Sequence, residues 1–337
     1  MNTMRVERPG MLSLLQDGGR YGYQRFGVPV NGAMDEWSHR LGNVLVGNEP
    51  ESAALEITLK GPTVRFSQDT LIAVTGADIA VTVGGVPLPM YRPVMVRHDV
   101  PVAFGHCRCG ARAYLAVRGG FAPEAVLGSR STNMRAKFGG VEGRTLRAGD
   151  RVAVASPYRE MLPLARMMVQ SAMSWVAAPQ PAGALGCATG DGGETVRFLP
   201  GPQWERFTPA ARKAFEQAAF TVSSQSDRMG YRLEGPALAL TSPLEMVSEA
   251  VSFGTVQVPP RGAPIVLMAD RQSVGGYPKI AYVISADLPR LAQAMPGTAL
   301  RFRAVTAEAA QRELLATEDR LRAVALDAAH LLGLSPQ

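Results

Sequence analysis

Short runs in which apolar and polar residues alternate fill the first half of the chain. Leu71–Thr75 and Ile79–Val83 flank a Gly-Ala-Asp tripeptide at residues 76–78, a pattern that predicts a strand, a turn and a second strand. Similar runs continue along the chain at Val94–Val96, Val100–Phe104, Ala113–Val117 and Leu146–Val154. One segment departs from this pattern, because apolar residues recur at helical spacing over Ala33–Val46. The pattern predicts a β domain that contains one helix.

A segment rich in small residues then separates this region from a second β-rich region. Ala177–Glu194 reads AAPQPAGALGCATGDGGE, and its prolines and glycines are typical of a linker. A short helix is predicted just ahead of it, over Met161–Trp175. The second region has one predicted helix, at Pro209–Ala219, among predicted strands at Thr195–Leu199, Tyr231–Leu233, Thr255–Val258, Pro264–Ala269, Ile280–Ser285 and Ala299–Val305.

The last residues, Thr306–Leu334, have the periodicity of a long amphipathic helix. Its predicted apolar stripe consists of Leu314, Leu321, Ala325, Ala328 and Leu332. The fold class is therefore mainly β with a few helices, arranged as two β domains and a C-terminal helix. The predicted ranges are an N-terminal β domain with one helix at 1–160, a connecting helix and linker at 161–194, a second β domain at 195–305 and the C-terminal helix at 306–337.

Composition and charge narrow the possible partners. The net charge is +6, but the 31 arginines and four lysines are scattered, and no Lys/Arg run exceeds two residues. Nucleic-acid binding is therefore not expected, whereas small carboxylates or phosphates suit scattered arginines. Three cysteines are too few for a disulfide framework, the N-terminus lacks the apolar core of a signal peptide, and Leu71–Tyr91 is too polar for a membrane span. We expect a cytoplasmic protein that does not bind membranes.

The segment Leu267–Ile280, LMADRQSVGGYPKI, is the strongest candidate for a site. A strand of buried type runs directly into polar side chains, and two glycines allow the backbone to approach a ligand closely. The candidate catalytic residues are Asp270, Arg271, Tyr277 and Lys279, and Gln272 is a candidate for binding substrate. The same residues are also typical of a strand followed by a turn with solvated charges, which is the alternative interpretation of this segment.

Three other segments could bind an anionic ligand. Leu14–Met34 is rich in glycine and contributes Gln16, Asp17 and Arg20. Gly128–Gly140 contributes Arg130 and Arg135 among hydroxyl side chains, and Ser223–Glu234 contributes Arg228 and Tyr231. Ordered surface loops and a structural salt bridge between Asp227 and Arg228 explain these residues equally well.

The sequence lacks the motifs that several kinds of catalytic or metal-binding site require. The four histidines have no spacing typical of a metal site, so no metal is expected. The sequence also lacks a Walker motif, a GxGxxG motif and a GxSxG nucleophile motif. Any catalysis would then depend on carboxylates, Lys279, tyrosines and the positive charge of arginines.

Long stretches of the chain resemble one known family over about Val6–Val305. The resemblance is to the biotin-dependent carboxyltransferase family, also described as allophanate hydrolase subunit 2, KipA or the C subunit of the prokaryotic 5-oxoprolinase. It rests on QDGGRYGYQRFGVPVNGAMD, ALEITLKGPTVRF, LGSRST, MRAKFGGVEGRTLRAGD, GPQWERF, SDRMGYRLEG and GTVQVPPRGAPIVLMADRQSVGGYPKIAYVISADL. The chain departs from the family pattern at Ser273–Val274, where two threonines are expected, and at Glu249–Phe253, where a more polar turn is expected.

The resemblance implies a cyclophilin-like barrel in the second half and a KipI-type partner protein. Gln257, within the GTVQV motif, joins the candidate substrate-binding residues. We expect arginines to hold a substrate carboxylate, while Lys279 or Tyr277 stabilises a developing oxyanion.

Three functions follow from the names within the family. The first is the C subunit of an ATP-dependent 5-oxoprolinase that works with a KipI-like B subunit and a LamB/YcsF-like A subunit on a small anionic cyclic amide. ATP would serve that complex, since this sequence has no P-loop. The second is the carboxyltransferase module of a biotin-dependent urea or amide carboxylase, and only this function involves biotin. The third is a non-catalytic regulator of the KipA type that binds a KipI-like kinase inhibitor.

Overall fold

The chain divides into two compact units, and each is assembled from separate stretches of sequence. The computed structural model describes residues 2–155, 163–170, 174–180 and 194–334. The first unit comprises Met1–Gly19, Asp35–Cys187 and Glu318–Gln337. The second unit comprises Arg20–Met34 and Ala188–Thr317.

These compact units differ from the predicted domain ranges in two places. Residues 20–34, which fall inside the predicted first domain, belong to the second unit. The C-terminal helical segment is divided between the units after Thr317. Most of the predicted linker, residues 181–193 with Cys187, lies outside the described residues.

The described residues contain five α-helices. They are α1 (Glu36–Leu45), α2 (Pro163–Gln170), α3 (Pro209–Gln217), α4 (Leu288–Gln293) and α5 (Ala307–Leu332). Short 3₁₀ helices occur at Gln24–Phe26, Trp204–Arg206 and Ser285–Asp287. None of the helices in the described part of the chain is both long and apolar enough to cross a membrane.

The strands of the first unit form one sheet, which has ten strands among the described residues. They are β1 (Thr3–Arg8), β2 (Leu12–Gln16), β3 (Ala54–Thr58), β4 (Thr63–Phe66), β5 (Thr70–Val83), β6 (Val86–Pro87), β7 (Val94–Val96), β8 (Val102–Val117), β9 (Arg151–Ala153) and β10 (Trp175–Ala177). The long strands β5 and β8 pair antiparallel, from Ile72 opposite Val117 to Val83 opposite Val102. Alternate side chains of the sheet, such as Val74 and Leu115, form a buried apolar core.

The predicted turn at residues 76–78 is wrong, because β5 continues through it as a single strand. The register with β8 shifts between Gly76 and Asp78, so the extra residue is absorbed as a β-bulge. Gly76 adopts a φ of 90°, and a Cβ at this position would overlap the Arg112 carbonyl oxygen. Glycine is typical of turns, but Gly76 allows this strand to bend and continue.

The predicted helix at Ala33–Val46 is confirmed as α1. Asp35 is its N-cap, because its carboxylate accepts a 2.9 Å hydrogen bond from the Ser38 main-chain N–H. Ser38, His39 and Leu41 are among the residues that the helix buries. The helix therefore carries polar as well as apolar side chains into the interior of the first unit.

The strands of the second unit include a closed barrel, which confirms the predicted barrel in the second half. Its strands are β11 (Glu194–Pro200), β12 (Ala219–Val222), β13 (Gly230–Glu234), β15 (Thr255–Gln257), β16 (Ile265–Leu267), β18 (Lys279–Val283) and β19 (Ala299–Ala304). Two further short strands, β14 (Glu249–Ala250) and β17 (Val274–Gly275), pair with each other. The parallel pairing of β11 with β19 closes the barrel, and Phe198, Phe215, Phe220 and Phe302 pack together in its core.

The C-terminal part of α5 packs within the first unit. Leu321, Val324, Ala328 and Leu332 are buried there. Arg40 donates two hydrogen bonds to Glu318, of 2.5 and 2.8 Å, which lower the pKa of that carboxyl below its usual value. Leu314, also part of the predicted stripe, exposes 39% of its surface, so the stripe is not buried over its whole length.

Candidate functional site

Lys279 is a charged residue of the second unit whose side chain is almost fully buried. It is the first residue of β18, and its side chain is 2% exposed. Its Nζ donates a hydrogen bond to the Glu249 carboxylate on β14, whose side chain is 51% exposed. A buried ammonium group requires an anionic partner, and Glu249 supplies it from the solvent side.

Polar groups from three other elements surround Lys279. The Lys279 main-chain N–H donates a 3.0 Å hydrogen bond to the Gln203 side-chain oxygen. Gln257 lies opposite Lys279 in the β15–β18 register, and its buried amide donates to the Tyr277 carbonyl oxygen at 3.4 Å. A Cβ at Gly275 would lie 2.5 Å from Gln257 Nε2, so the backbone of β17 lies directly against this amide. Lys279 thus contacts Glu249 through its side chain and Gln203 through its main chain, and it pairs with Gln257 in the register of β15 and β18.

Asp270 belongs to a second polar group of the same unit. Arg228 donates to both of its carboxylate oxygens, at 2.9 and 3.1 Å, and the Asn31 amide donates at 2.8 Å. Asn31 in turn accepts a 3.2 Å hydrogen bond from Arg20. Arg20 and Arg228 are 1% and 5% exposed, and Arg228 also donates to the Gly32 carbonyl oxygen at 2.7 Å. The segment 20–34 thereby contributes Arg20 and Asn31 to the barrel end of β16, where Asp270 keeps 14% of its side chain exposed.

The remaining predicted residues of the second unit vary in exposure. Tyr277 is 45% exposed, and Arg271 and Gln272 are partly buried. The Arg271 guanidinium lies 5.6 Å from the centre of the Phe253 ring. Tyr231 is buried, and its hydroxyl donates to the Ala294 carbonyl oxygen at 3.4 Å, as expected of a core tyrosine.

In the first unit the structure brings together two of the predicted loops. The Asp17 carboxylate accepts hydrogen bonds from the Ser129 hydroxyl at 2.7 Å, the Arg130 main-chain N–H at 2.5 Å and the Ser131 hydroxyl at 2.5 Å. Gln16 is fully buried, and its amide donates to the Thr132 carbonyl oxygen at 3.3 Å. Asp17 therefore holds the loop that follows residue 128, and these contacts describe a structural role for it. The Arg135 side chain is exposed further along that loop.

A buried polar cluster lies next to Gln16 in the first unit. His39 Nε2 lies 3.2 Å from the Gln16 carbonyl oxygen, and the His39 ring packs edge-on against Tyr114. Burial lowers the pKa of His39. Burial also raises the pKa of Tyr114 well above its usual value, and the carboxylates of Glu56 and Asp35 add to this effect. Tyr114 donates a 2.8 Å hydrogen bond to Glu56, so this cluster is stable with the phenol protonated and the imidazole neutral.

Sequence reasoning missed three residues that complete these groups. Glu249 lies on a short exposed strand, and Gln203 precedes a 3₁₀ helix, so neither had a periodicity or motif that linked it to Lys279. Asn31 did carry a sequence signal, because it precedes Gly32 and an Asn-Gly pair is typical of a tight turn. In the structure Asn31 adopts a φ of 59°.

Other parts of the surface do not coincide with the predicted residues. A cleft of about 580 Å³ in the first unit is lined by Asp78, Leu88, Tyr91, Arg108 and their neighbours on β5. No group of three or more His, Cys, Asp or Glu side chains within the described residues is placed to hold a metal ion.

Comparison with known proteins identifies the family. A model of the carboxyltransferase domain, subdomain A and B, matches residues 26–304. The chain belongs to the carboxyltransferase domain family. The resemblance predicted from the sequence motifs is therefore confirmed.

Relatives within the carboxyltransferase domain family have more than one described function. This chain is 40% identical over 298 residues to the C subunit of the 5-oxoprolinase of Haemophilus influenzae, which is 88% of this chain and 90% of that protein. It is 39% identical over 306 residues to the C subunit of the 5-oxoprolinase of Escherichia coli, 89% and 90% of the two chains. The crystal structure of Kluyveromyces lactis urea carboxylase matches 95% of this chain with a TM-score of 0.85 at 29% identity, but the match spans only 29% of that longer chain.

Proposed function

We propose that this chain is the C subunit of an ATP-dependent 5-oxoprolinase, which hydrolyses 5-oxoproline to glutamate. The observation that carries the proposal is the match with the corresponding protein of Haemophilus influenzae, which extends over 88% of this chain and 90% of that protein. Most of the urea carboxylase, in contrast, lies outside the region that this chain matches. The chain would act with a KipI-like B subunit and a LamB/YcsF-like A subunit, since a C subunit implies other subunits.

The chemistry of the second unit supports a role in holding an anionic cyclic amide. Lys279 and Arg271 offer positive charge close to a partly exposed surface, and Tyr277 adds a hydroxyl group. The Gln257 amide can both donate to and accept from an amide of the substrate. ATP would be used by the complex, and no residue of this chain is assigned to it. The cytoplasmic location expected from the sequence stays a prediction.

Reconstitution of the complex tests this function. The chain is co-expressed with the KipI-like and LamB/YcsF-like proteins, and ATP hydrolysis that depends on 5-oxoproline is measured together with glutamate formation. We expect activity from the complete complex and a loss of about 100-fold for Lys279→Ala or Arg271→Ala, as for the removal of a charge-stabilising donor. Lys213→Ala, which removes an exposed lysine on α3, is the matched control and should retain activity.

Three outcomes would contradict all or part of the proposal. A complete, folded complex without 5-oxoproline-dependent turnover would exclude the oxoprolinase function. Binding of a KipI-like protein without any turnover would instead favour the regulatory role. Full turnover by both alanine variants would exclude the assignment of Lys279 and Arg271.

A second candidate is the carboxyltransferase module of a biotin-dependent urea or amide carboxylase. The specific observation that favours it is the TM-score of 0.85 against urea carboxylase. The Gln257 amide would fit the polar head of biotin, because an amide can both donate to and accept from its ureido ring. Bicarbonate-dependent activity with a biotin-carrier polypeptide, and none with 5-oxoproline, would support this function over the first.

A further inference from the structure

An exposed segment of the second unit covers Lys279. This cover segment consists of residues 241–252, which are mostly exposed. It is held at one end by a 2.9 Å hydrogen bond from Thr241 N to the Arg206 carbonyl oxygen, and at the other by a 3.2 Å bond from Val251 N to the Ser273 carbonyl oxygen. Between these bonds, the two residues of β14 pair with β17. Such a segment buries little apolar surface, so local opening costs little compared with unfolding of the barrel.

The main polar contact of the cover segment is between Glu249 and Lys279. The two side chains differ sharply in exposure, 51% for Glu249 and 2% for Lys279. Water can solvate the half-exposed Glu249 carboxylate once it leaves Lys279, so its release costs less than the release of a buried carboxylate. The buried ammonium group nevertheless needs a negative charge at this position. Another carboxylate could therefore replace Glu249 with little net cost.

The buried arginines of this unit are less suited to bind a carboxylate. Arg228 uses its guanidinium on Asp270 and on the Gly32 carbonyl oxygen. Arg20 is fully buried and donates to Asn31. Release of either arginine would leave a buried partner without its hydrogen bond, a larger cost than the release of exposed Glu249. This favours Lys279 over Arg20 and Arg228, in contrast to the sequence-based expectation.

We propose that the Lys279 ammonium group is the binding site for the carboxylate of a small cyclic acid, and that Glu249 occupies this site until the ligand displaces it. The exchange requires a ligand with a full negative charge, because a neutral amide oxygen would leave the buried ammonium group uncompensated. The Gln257 amide, opposite Lys279, then lies next to the bound ring. The choice of 5-oxoproline as the natural cyclic acid rests on the proposed function.

Reductive methylation provides a test that needs no ligand. The chain has only four lysines, and Lys60, Lys137 and Lys213 are exposed, so each serves as an internal control when the rate is read by mass spectrometry. We expect slow methylation of Lys279 in the unchanged protein and methylation about tenfold faster in Glu249→Gln, because the cover segment opens more often. Glu245→Gln removes the same charge from an exposed position of the cover segment and should leave the rate unchanged. Equal rates in Glu249→Gln and Glu245→Gln would overturn the proposal.

Three compounds with five-membered rings then show which chemical group binds Lys279. 5-Oxoproline carries an amide and a carboxylate, cyclopentanecarboxylate carries only the carboxylate, and 2-pyrrolidinone carries only the amide. In the Glu249→Gln protein, both carboxylates should protect Lys279 from methylation, at concentrations about fivefold lower than in the unchanged protein. 2-Pyrrolidinone should not protect it. Protection by 2-pyrrolidinone equal to that by 5-oxoproline, or no protection by either carboxylate, would overturn the proposal.

The methylation experiments test the binding site at Lys279 independently of the proposed oxoprolinase function. Methylation depends on neither ATP nor turnover, and it is carried out on the full chain alone and in the reconstituted complex. An inactive complex with carboxylate-specific protection of Lys279 would remove the oxoprolinase function and leave the binding site. An active complex in which no carboxylate protects Lys279 would remove the binding site and leave the function.

Discussion

Two buried cations of the second unit, Arg228 and Lys279, have carboxylate partners that differ in exposure. Asp270, the partner of Arg228, exposes 14% of its side chain, whereas Glu249, the partner of Lys279, exposes 51%. The Arg228 pair has fixed, bidentate geometry and further contacts to Asn31 and Gly32. The two pairs therefore have different roles. The Arg228–Asp270 pair stabilises local structure, whereas Lys279 can exchange Glu249 for another anion.

Removal of Arg228 should destabilise the protein strongly. Arg228→Ala leaves the Asp270 carboxylate and the Gly32 carbonyl oxygen without their main donor, and we expect a loss of about 3 kcal/mol in the free energy of unfolding. Urea denaturation followed by circular dichroism measures this loss. Arg232→Ala, which changes an exposed arginine on β13 just after Arg228, is the matched control and should cost less than about 0.5 kcal/mol. Similar losses for the two variants would show that the Arg228–Asp270 pair contributes little.

His39 should contribute to the pH dependence of stability. Burial lowers its pKa, so below the ordinary value of 6.5 the unfolded chain binds a proton that the folded chain does not. The stability due to neutral His39 is complete above this pH and decreases as the pH falls toward the folded-state pKa. The contribution of one such group approaches about 1.4 kcal/mol per pH unit.

The variant His39→Gln should therefore lose less stability than the unchanged protein between about pH 6.5 and pH 5. Denaturation curves at several pH values give the difference in slope. His106→Gln, at an exposed histidine, is the matched control for the substitution itself. An unchanged slope for His39→Gln would mean that this histidine is protonated equally in both states.

At the residue scale, the sequence indicated individual site residues better than it indicated the residues that form hydrogen bonds with them. The sequence indicates Asp270 and Lys279 because polar residues follow an apolar strand next to glycines, and it indicates Arg228 because it stands beside Asp227 before a Met-Gly turn. Their partners Glu249 and Asn31 lie 30 and 239 positions away from them, separations at which no local pattern gives information. Asp17 was predicted to bind substrate, whereas its contacts organise the loop after residue 128.

At the element scale, β5 shows how one glycine determines the course of a strand. Gly76 and Gly85 have nearly the same φ, 90° and 85°, but only Gly76 lies against backbone atoms, while a Cβ at Gly85 has nothing within 4 Å. The two positions therefore separate steric overlap from the conformational cost of a positive φ. This comparison is possible because both glycines lie in or beside the same strand.

Gly76→Ala should cost clearly more stability than Gly85→Ala. Gly85→Ala carries only the cost of the positive φ, about 1 kcal/mol. Gly76→Ala adds the overlap with Arg112 and should cost about 3 kcal/mol or more, since the β-bulge must rearrange. Thermal and urea unfolding of both variants provide the comparison. Equal costs would mean that the backbone at Arg112 moves away freely.

Elements with clear periodicity were predicted well, and glycine was the main source of error. The apolar spacing predicts helix α1, and the pattern of apolar residues predicts every barrel strand except β12, which follows directly after a predicted helix. The interruption predicted at residues 76–78 failed because a bulge and a turn use the same residue types. Leu314 fits the helical stripe but is exposed, because periodicity shows which residues share a face and not how far along the helix that face is covered.

For the whole molecule, the second unit depends on a segment that is distant in sequence. Residues 20–34 supply Met34 to the barrel core and Arg20 and Asn31 to the Asp270 group. No pattern within this segment predicts that it belongs with residues 188–317. Long-range assignment of this kind depends on contacts that exist only in the folded state.

A fragment of residues 188–317 should therefore be much less stable than the same fragment joined to residues 20–34. We expect a difference of about 3 kcal/mol or more, since Met34 is fully buried and Asn31 contacts Asp270. Urea denaturation of the two fragments measures it. A joined fragment with Asn31→Ala and Met34→Ala controls for added length and should lose most of the gain. Equal stability of all three fragments would contradict the assignment of residues 20–34 to the second unit.

The interleaved units also determine the order in which the protein can be completed during synthesis. The second unit ends at Thr317, whereas the first unit still needs residues from Glu318 onward. The unit that starts at the N-terminus is thus the last to receive all of its residues from the ribosome. Domains usually fold in N-to-C order as they emerge. In this protein all residues of the barrel unit are synthesised first, and the sheet unit can fold fully only after the last turns of α5 have been synthesised.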